Sequence, residues 1–213
     1  MALRRFALPV LVAVLVLVVV GCNGKKKTTG PQFVAIIVDT SASCASLRPQ
    51  LIDYAKLALT DYAAKGKIKV TIINLNEDPS VEFQKDGEFY DEDIDEIIKH
   101  VKGIRYNAKG TDIISAFECA LKYYSYEKVT PRSFKILCFT DGLIDPAKGR
   151  VCRKWSGFDW KKLNSQGASV GLYFIDPKVR DDIESSLRVL GAYFVQNRND
   201  AIDALKNEEA KIP

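Results

Sequence analysis

Two kinds of hydrophobic pattern alternate along residues 33–209. Short, continuous apolar runs, such as residues 33–38 and 134–139, are typical of strands buried on both faces of a sheet. Longer segments, such as residues 47–64, carry apolar residues three or four positions apart, which is the spacing of a helix that buries one face. The patterns predict strands at 33–38, 68–75, 134–139, 170–175 and 192–195, and helices at 47–64, 91–101, 111–124, 160–165, 179–190 and 200–209.

This alternation of strands and helices predicts an α/β fold with a mostly parallel sheet that helices cover on both faces. Residues 81–90 alternate around Asp86-Gly87 and indicate a short hairpin or an edge strand. In such sheets, ligands bind beyond the carboxyl ends of the central strands. Polar residues that directly follow a predicted strand are therefore the first candidates for a functional site.

The first residues of the chain indicate export. Residues 6–20 are apolar, follow Arg4 and Arg5, and end at Gly21-Cys22. The run is short for a bilayer-spanning helix, which needs about 20 residues, and it fits the apolar core of a secretory signal. Its end, Val-Val-Gly-Cys, resembles the bacterial lipobox, in which a peptidase cuts before a cysteine that carries lipid. We expect a signal peptide over residues 1–21 and a lipid anchor on Cys22. The alternative is an uncleaved N-terminal anchor; both interpretations place the domain on a membrane, outside the cytoplasm.

Residues 22–32 are polar and rich in lysine and glycine, so they predict a flexible tether that leaves residues 33–213 as the folded domain. Asn23, rather than Asp, follows Cys22, which resembles the outer-membrane sorting signal of Gram-negative lipoproteins. The formal net charge of +4 falls to about +2 when the two arginines of the signal are removed. Such a small excess gives no support to nucleic acid as a partner.

Three polar segments are expected at one edge of the sheet. Asp39, Ser41 and Ser43 follow the first strand, Thr111 opens a helix after Gly110, and Asp141 lies in a Thr-Asp-Gly turn after the strand at 134–139. They supply only carboxylate and hydroxyl oxygens, which suit Mg²⁺, Mn²⁺ or Ca²⁺ and not zinc or copper. Each segment alone also has an ordinary structural explanation as a helix cap or a turn.

Together, Asp39-x-Ser41-x-Ser43, Thr111 and Asp141 closely resemble the metal-ion-dependent adhesion site of von Willebrand factor A domains. The resemblance spans residues 33–207 and implies a three-layer, Rossmann-like fold with strand order 3-2-1-4-5-6 and an antiparallel third strand. It also implies direct metal contact by Ser41, Ser43 and Thr111, with Asp39 and Asp141 acting through water. The expected metal is Mg²⁺, or alternatively Mn²⁺ or Ca²⁺, and an acidic side chain of another envelope or extracellular protein would complete its coordination.

We therefore expect a membrane-tethered, metal-dependent adhesion or assembly module and not an enzyme. His100 is the one histidine and is expected on the surface of an otherwise ordinary helix, and no Ser-His-Asp or Cys-His set can be assembled without it. Phosphatases of the haloacid dehalogenase type need a second aspartate two residues after the first, where Ser41 follows Asp39. The alternative function is a metal-independent scaffold lipoprotein of the cell envelope.

Four cysteines remain after Cys22. Cys119 and Cys138 are expected to be small buried core residues. Cys44 follows the strand at 33–38, and Cys152 follows the strand at 134–139. The strand order that the resemblance implies makes these two strands neighbours. An exported chain permits disulfides, so these two cysteines are a candidate pair.

The segment 146–160 combines basic residues with both tryptophans of the chain. Because arginine and tryptophan dominate binding hot spots, Arg150, Arg153, Lys154 and Trp155 are a candidate partner-binding rim. The alternative is a solvated loop whose tryptophans pack inward.

Overall fold

The computed structural model describes residues 30–127 and 131–209. The predicted signal peptide, the predicted lipid site at Cys22 and the tether up to residue 29 lie outside these residues. Within the described part, no helix combines the length and the apolar character that crossing a membrane requires.

Six strands form one sheet in the order β3-β2-β1-β4-β5-β6. The strands are β1 (Gln32–Asp39), β2 (Ile68–Leu75), β3 (Ser80–Gly87), β4 (Ser133–Phe139), β5 (Ala168–Tyr173) and β6 (Tyr193–Val195). β1 pairs in parallel with β2 and β4, β4 with β5, and β5 with β6, whereas β3 runs antiparallel to β2. The predicted fold class, strand order and direction of the third strand are confirmed.

In the described residues, five α-helices lie between strands and a sixth follows the last strand. They are α1 (Arg48–Ala64), α2 (Asp91–Gly103), α3 (Ile113–Ser125), α4 (Trp160–Ser165), α5 (Pro177–Leu187) and α6 (Arg198–Glu209). Two short 3₁₀ helices, Ala42–Leu47 and Trp155–Gly157, were not predicted. The helix expected at 47–64 begins at Arg48, because Leu47 ends the first 3₁₀ helix. Its first turn contains Pro49, a residue that favours the start of a helix.

β1 is buried along its whole length, and its side chains alternate between two cores. Val34, Ile36 and Val38 pack on the face covered by α1, α2 and α6. Residues 33, 35 and 37 pack on the opposite face with α3, α4 and α5. The molecule therefore has three layers, and the central strands end among loops at one edge of the sheet.

The segment expected to form a hairpin or an edge strand is a single edge strand. β3 alternates between exposed and half-buried residues, as expected for a strand with one neighbour. The ring of Phe83 on this strand stacks on His100 of α2, with the centroids 4.0 Å apart. The one histidine is therefore an exposed residue that stacks on the edge strand.

Candidate metal-binding site

The carboxylates of Asp39 and Asp141 come together because β1 and β4 are parallel neighbours. Val38 pairs with Phe139 in the sheet, so the residues that follow each strand emerge side by side. Asp39 is 1% exposed, whereas Asp141 is half-buried. The two polar segments predicted at these strand ends therefore meet.

Asp39 is held by two donors. Its Oδ2 accepts the hydroxyl of Thr140 at 2.7 Å, and its Oδ1 accepts the backbone N–H of Ser41 at 2.9 Å. Burial raises the pKa of Asp39, the hydrogen bonds from Thr140 and Ser41 partly oppose that rise, and the charge of Asp141 adds to it. A nearby cation would favour the ionised carboxylate.

The two serines and Asp141 form a continuous run of oxygen atoms. Ser41 Oγ lies 3.0 Å from Ser43 Oγ, and the Ser43 hydroxyl donates to Asp141 Oδ2 at 2.7 Å. Asp141 Oδ1 accepts the backbone N–H of Leu143 at 2.9 Å, which fixes the carboxylate. Ser41 is in an extended conformation immediately before the 3₁₀ helix, so both hydroxyls project from one short turn.

Thr111 lies in a loop that is tied to both of the other segments. Its backbone N–H donates to the carbonyl of Asp145 at 2.7 Å, and Ala108 in the same loop donates to the carbonyl of Thr40 at 3.1 Å. Thr111 is 2% exposed. The three predicted segments thus share one edge of the sheet, while direct contact of the Thr111 hydroxyl with a metal stays a prediction.

The donor set fits a hard divalent cation. An octahedral Mg²⁺ with oxygen ligands at about 2.1 Å places adjacent ligands about 3.0 Å apart. The separation between Ser41 Oγ and Ser43 Oγ, the two expected direct ligands of this turn, is 3.0 Å and matches that value. Hydroxyl and carboxylate oxygens are also the ligands that such ions prefer.

Cys44 adds a sulfur to this edge. The ligand atoms of Asp39, Cys44 and Asp141 lie within 4.8 Å of one another. Burial, followed by the two carboxylate charges, raises the pKa of the Cys44 thiol to about 12, so the thiol is protonated near neutral pH when no metal is bound. Sulfur is a softer ligand than oxygen and would suit zinc.

The predicted pairing of Cys44 with Cys152 is not formed, because both are free thiols. Cys44 is buried beside Asp39 and Asp141, whereas Cys152 is half-buried near Asp112 and Asp145. The long, irregular segment after Asp141 carries Cys152 away from the end of its strand, although β1 and β4 are neighbours. Cys138 is buried in the core as expected, and Cys119 is half-buried.

Two arginines of the predicted partner-binding rim form ion pairs with acidic residues of the same chain. Arg150 makes a two-pronged ion pair with Asp78, with distances of 2.6 Å and 2.8 Å. Arg153 does the same with Glu118 at 2.7 Å and 2.8 Å. These contacts fasten the loop to its neighbours, so only Lys154 of the four predicted residues stays exposed without such a pair in the described part of the chain.

Trp155 is buried, at 5% exposure, and so is Trp160. The alternative, in which the tryptophans pack inward, is therefore correct, and the expectation that Trp155 contacts a partner was wrong. The Trp155 ring packs in the core formed with α3 and α4, which is favoured because it removes a large apolar surface from water.

Sequence reasoning missed the role of Thr140. Its hydroxyl donates to Asp39 and accepts the N–H of Gly142 at 3.0 Å, so it bridges the two strand ends. Of the Thr-Asp-Gly turn, only Asp141 was predicted to belong to the metal site. A threonine at the last core position before a polar turn was the available signal, because a fully buried hydroxyl needs a partner.

The sequence model of the von Willebrand factor type A domain matches residues 34–143. No curated protein matches in sequence. Among solved structures, an aerotolerance-related membrane protein from Bacteroides fragilis is 15% identical with a TM-score of 0.58, and the match covers 86% of this chain and 98% of that one.

Two further structures are similar over a smaller share of their own length. The pilus adhesin SpaC from Lactobacillus rhamnosus GG is 11% identical with a TM-score of 0.61, covering 86% of this chain and 30% of that chain. Proximal thread matrix protein 1 from the mussel byssus was solved with zinc in its metal-ion-dependent adhesion site (MIDAS) motif. It is 16% identical with a TM-score of 0.55, and the match covers 84% of this chain and 46% of that one. At these identities the similarity concerns the fold alone.

The family match includes every residue predicted to form the metal site, and the sheet has the strand order that the resemblance implied. The matched segment is slightly more than half of the chain. The chain therefore belongs to the von Willebrand factor type A domain family.

Proposed function

We propose that this protein is a membrane-tethered, divalent-metal-dependent binding module of the bacterial cell envelope. It captures an acidic side chain of another envelope or extracellular protein, in adhesion or assembly, and it is not an enzyme. Lipid on Cys22 anchors it after export, in the outer membrane if the cell is Gram-negative. The presence of the same fold in a pilus adhesin supports a role in protein binding.

The observation that carries the proposal is the run of oxygen atoms from Ser41 through Ser43 to Asp141, with buried Asp39 beside it. Ser41, Ser43 and Thr111 would contact the ion through neutral hydroxyls, and Asp39 and Asp141 would orient its waters. When bound, the ion supplies positive charge that a carboxylate from outside can ligate. Mg²⁺, Mn²⁺ and Ca²⁺ are the ions that this donor set favours.

Calorimetry on the full chain in detergent, with MgCl₂, MnCl₂, CaCl₂ and ZnCl₂ in turn, tests the metal site. Ser43→Ala should weaken Mg²⁺ binding at least about tenfold, because it removes one direct ligand and the hydrogen bond to Asp141. Ser46→Ala is the matched control, because Ser46 is an exposed serine of the same 3₁₀ helix. A wild-type chain that binds none of the four ions would refute the proposal.

Cys44→Ser separates an oxygen site from a sulfur site. Mg²⁺ binding that survives this substitution supports the proposed oxygen ligands. Binding restricted to zinc and abolished by the substitution would instead assign the site to Asp39, Cys44 and Asp141.

Pull-down from native membranes, with and without EDTA, tests the partner and its dependence on metal. We expect capture that EDTA abolishes and that Ser41→Ala abolishes equally, and mass spectrometry of the captured proteins identifies the partner. Capture that resists both treatments would favour the metal-independent scaffold. Mass spectrometry of the N-terminal peptide from the same membranes tests the lipid on Cys22.

A further inference from the structure

A chain of hydrogen bonds connects the predicted metal site to both tryptophans. Trp160 Nε1 donates to the carbonyl of Trp155 at 2.8 Å, and Trp155 Nε1 donates to the carbonyl of Gly142 at 3.1 Å. The N–H of Gly142 donates to Thr140 Oγ1 at 3.0 Å, and that hydroxyl donates to Asp39 at 2.7 Å. The Gly142 residue is therefore bonded on one side to the Asp39 network and on the other to Trp155.

The turn at Gly142 is also confined by packing. Gly142 has a φ of +80°, which favours glycine, and a Cβ there would lie 2.9 Å from Ile183 Cδ1 and 3.0 Å from Ile175 Cδ1. Asp141 directly precedes this residue, and its own carbonyl accepts the N–H of Asp176 at 2.8 Å. The Gly142 carbonyl and the Leu143 N–H belong to one planar peptide group, and that N–H donates to Asp141 Oδ1 at 2.9 Å. A change in the orientation of this peptide would therefore move the Asp141 carboxylate.

The indole ring of Trp155, which carries the donating N–H, is held by packing against other aromatic rings. Its ring lies 5.9 Å from the ring of Trp160, and both contact Phe117 of α3, at centroid distances of 6.1 Å and 5.1 Å. A buried indole usually satisfies its N–H, and here the partner is a backbone carbonyl next to a predicted site residue. The packing of α3 and α4 thus fixes where the Gly142 carbonyl can lie.

We infer that Trp155 is a positioning residue of the metal site: its indole N–H holds the Gly142 peptide so that Asp141 and Thr140 keep the orientation that the ion requires. The inference rests on the proposed function, because it presupposes an ion beside Asp141. It assigns to Trp155 a role inside the site, where the sequence had suggested a contact with a partner.

Trp155→Phe tests this role, because phenylalanine keeps an aromatic ring in the core and removes only the N–H donor and part of the ring. Trp160→Phe is the control: its ring is equally buried, and the hydrogen bond it loses is to the Trp155 carbonyl, outside the Asp141 turn. The phenylalanine ring still packs beside Trp155, and the Trp155 indole keeps its own bond to Gly142. Loss of one hydrogen bond corresponds to a roughly three- to tenfold change in an equilibrium constant. We expect the Kd for Mg²⁺, measured by calorimetry on the full chain, to rise by that factor in Trp155→Phe and to stay within about twofold of wild type in Trp160→Phe.

Thermal midpoints and amide hydrogen exchange separate positioning from a general loss of stability. The two variants should lose similar thermal stability, but only Trp155→Phe should speed exchange of the Gly142 N–H in the metal-free chain. The chain has only these two tryptophans, so the emission of Trp160→Phe reports on Trp155 alone. That emission should change on addition of Mg²⁺, with the Kd found by calorimetry.

Equal Mg²⁺ affinity in wild type and Trp155→Phe would overturn the inference and leave the proposed function intact. An equal loss of affinity in both variants would also overturn it, because the effect would then come from core packing. A wild-type chain that binds no ion would refute the proposed function and the inference together.

Discussion

Replacing Gly110 with alanine tests the placement of the Thr111 loop. Gly110 has no left-handed φ, so the substitution introduces no backbone strain of its own. Its new Cβ would instead lie 2.5 Å from the backbone nitrogen of Ala147 and 2.7 Å from the carbonyl oxygen of Asp145. Both atoms belong to the backbone and cannot swing aside, so either this loop or the segment at 145–147 must move. The bond from Thr111 N–H to the Asp145 carbonyl, now 2.7 Å, would be strained by that movement.

Overpacking of this kind costs about 1–3 kcal/mol of unfolding free energy. For a chain of this size that corresponds to a fall in Tm of roughly 2–12 °C. Urea denaturation followed by circular dichroism measures the first quantity, and a thermal scan measures the second. Gly103→Ala is the control, because an added Cβ meets nothing within 4 Å at the end of α2 and should stabilise by about 0.4–1 kcal/mol. If Gly110→Ala unfolds within about 0.5 kcal/mol of wild type, the close approach of the loops is wrong.

The two remaining predictions concern side chains that the sequence had assigned to a partner or to a disulfide. Arg153→Ala should change the unfolding free energy by about 1 kcal/mol or less, because its ion pair with Glu118 is largely exposed, and it should leave partner capture unchanged. Arg153 lowers the pKa of Glu118. The difference in unfolding free energy between wild type and variant should therefore be present near neutral pH and vanish as the pH falls through the carboxylate range. A difference that grows in acid would contradict the pairing. In the folded chain, alkylation followed by mass spectrometry should modify half-buried Cys152 before Cys44 and Cys138. These two thiols are buried and out of reach of the reagent, so they should react only on unfolding. A disulfide between Cys44 and Cys152 in the exported protein would show that this edge rearranges after secretion.

The predicted ligands were found in the sequence because each is a polar residue placed directly after a buried strand. Asp39 and Asp141 meet since parallel neighbouring strands end at the same edge, a consequence of the strand order. The groups that hold them could not be found in this way. The Thr140 hydroxyl and the Trp155 indole are hydrogen-bonded to Asp39 and to Gly142, and these pairings come from the tertiary structure. A buried threonine before a polar turn signals only that its hydroxyl needs a partner, without saying which.

Hydrophobic periodicity by itself determined the α/β class, the number and approximate positions of most elements, and the sheet edge at which to look for a site. These properties follow from local burial, which each segment records in its own spacing of apolar residues. The tertiary structure alone decided the path of the loop after Asp141. That path keeps Cys152 away from Cys44, pairs Arg153 with Glu118 and buries Trp155. That loop has no regular secondary structure over most of its length, so its path depends on contacts with α3, α4 and the turn after β2. Such contacts join residues that are distant in the chain, and a one-dimensional pattern does not contain them.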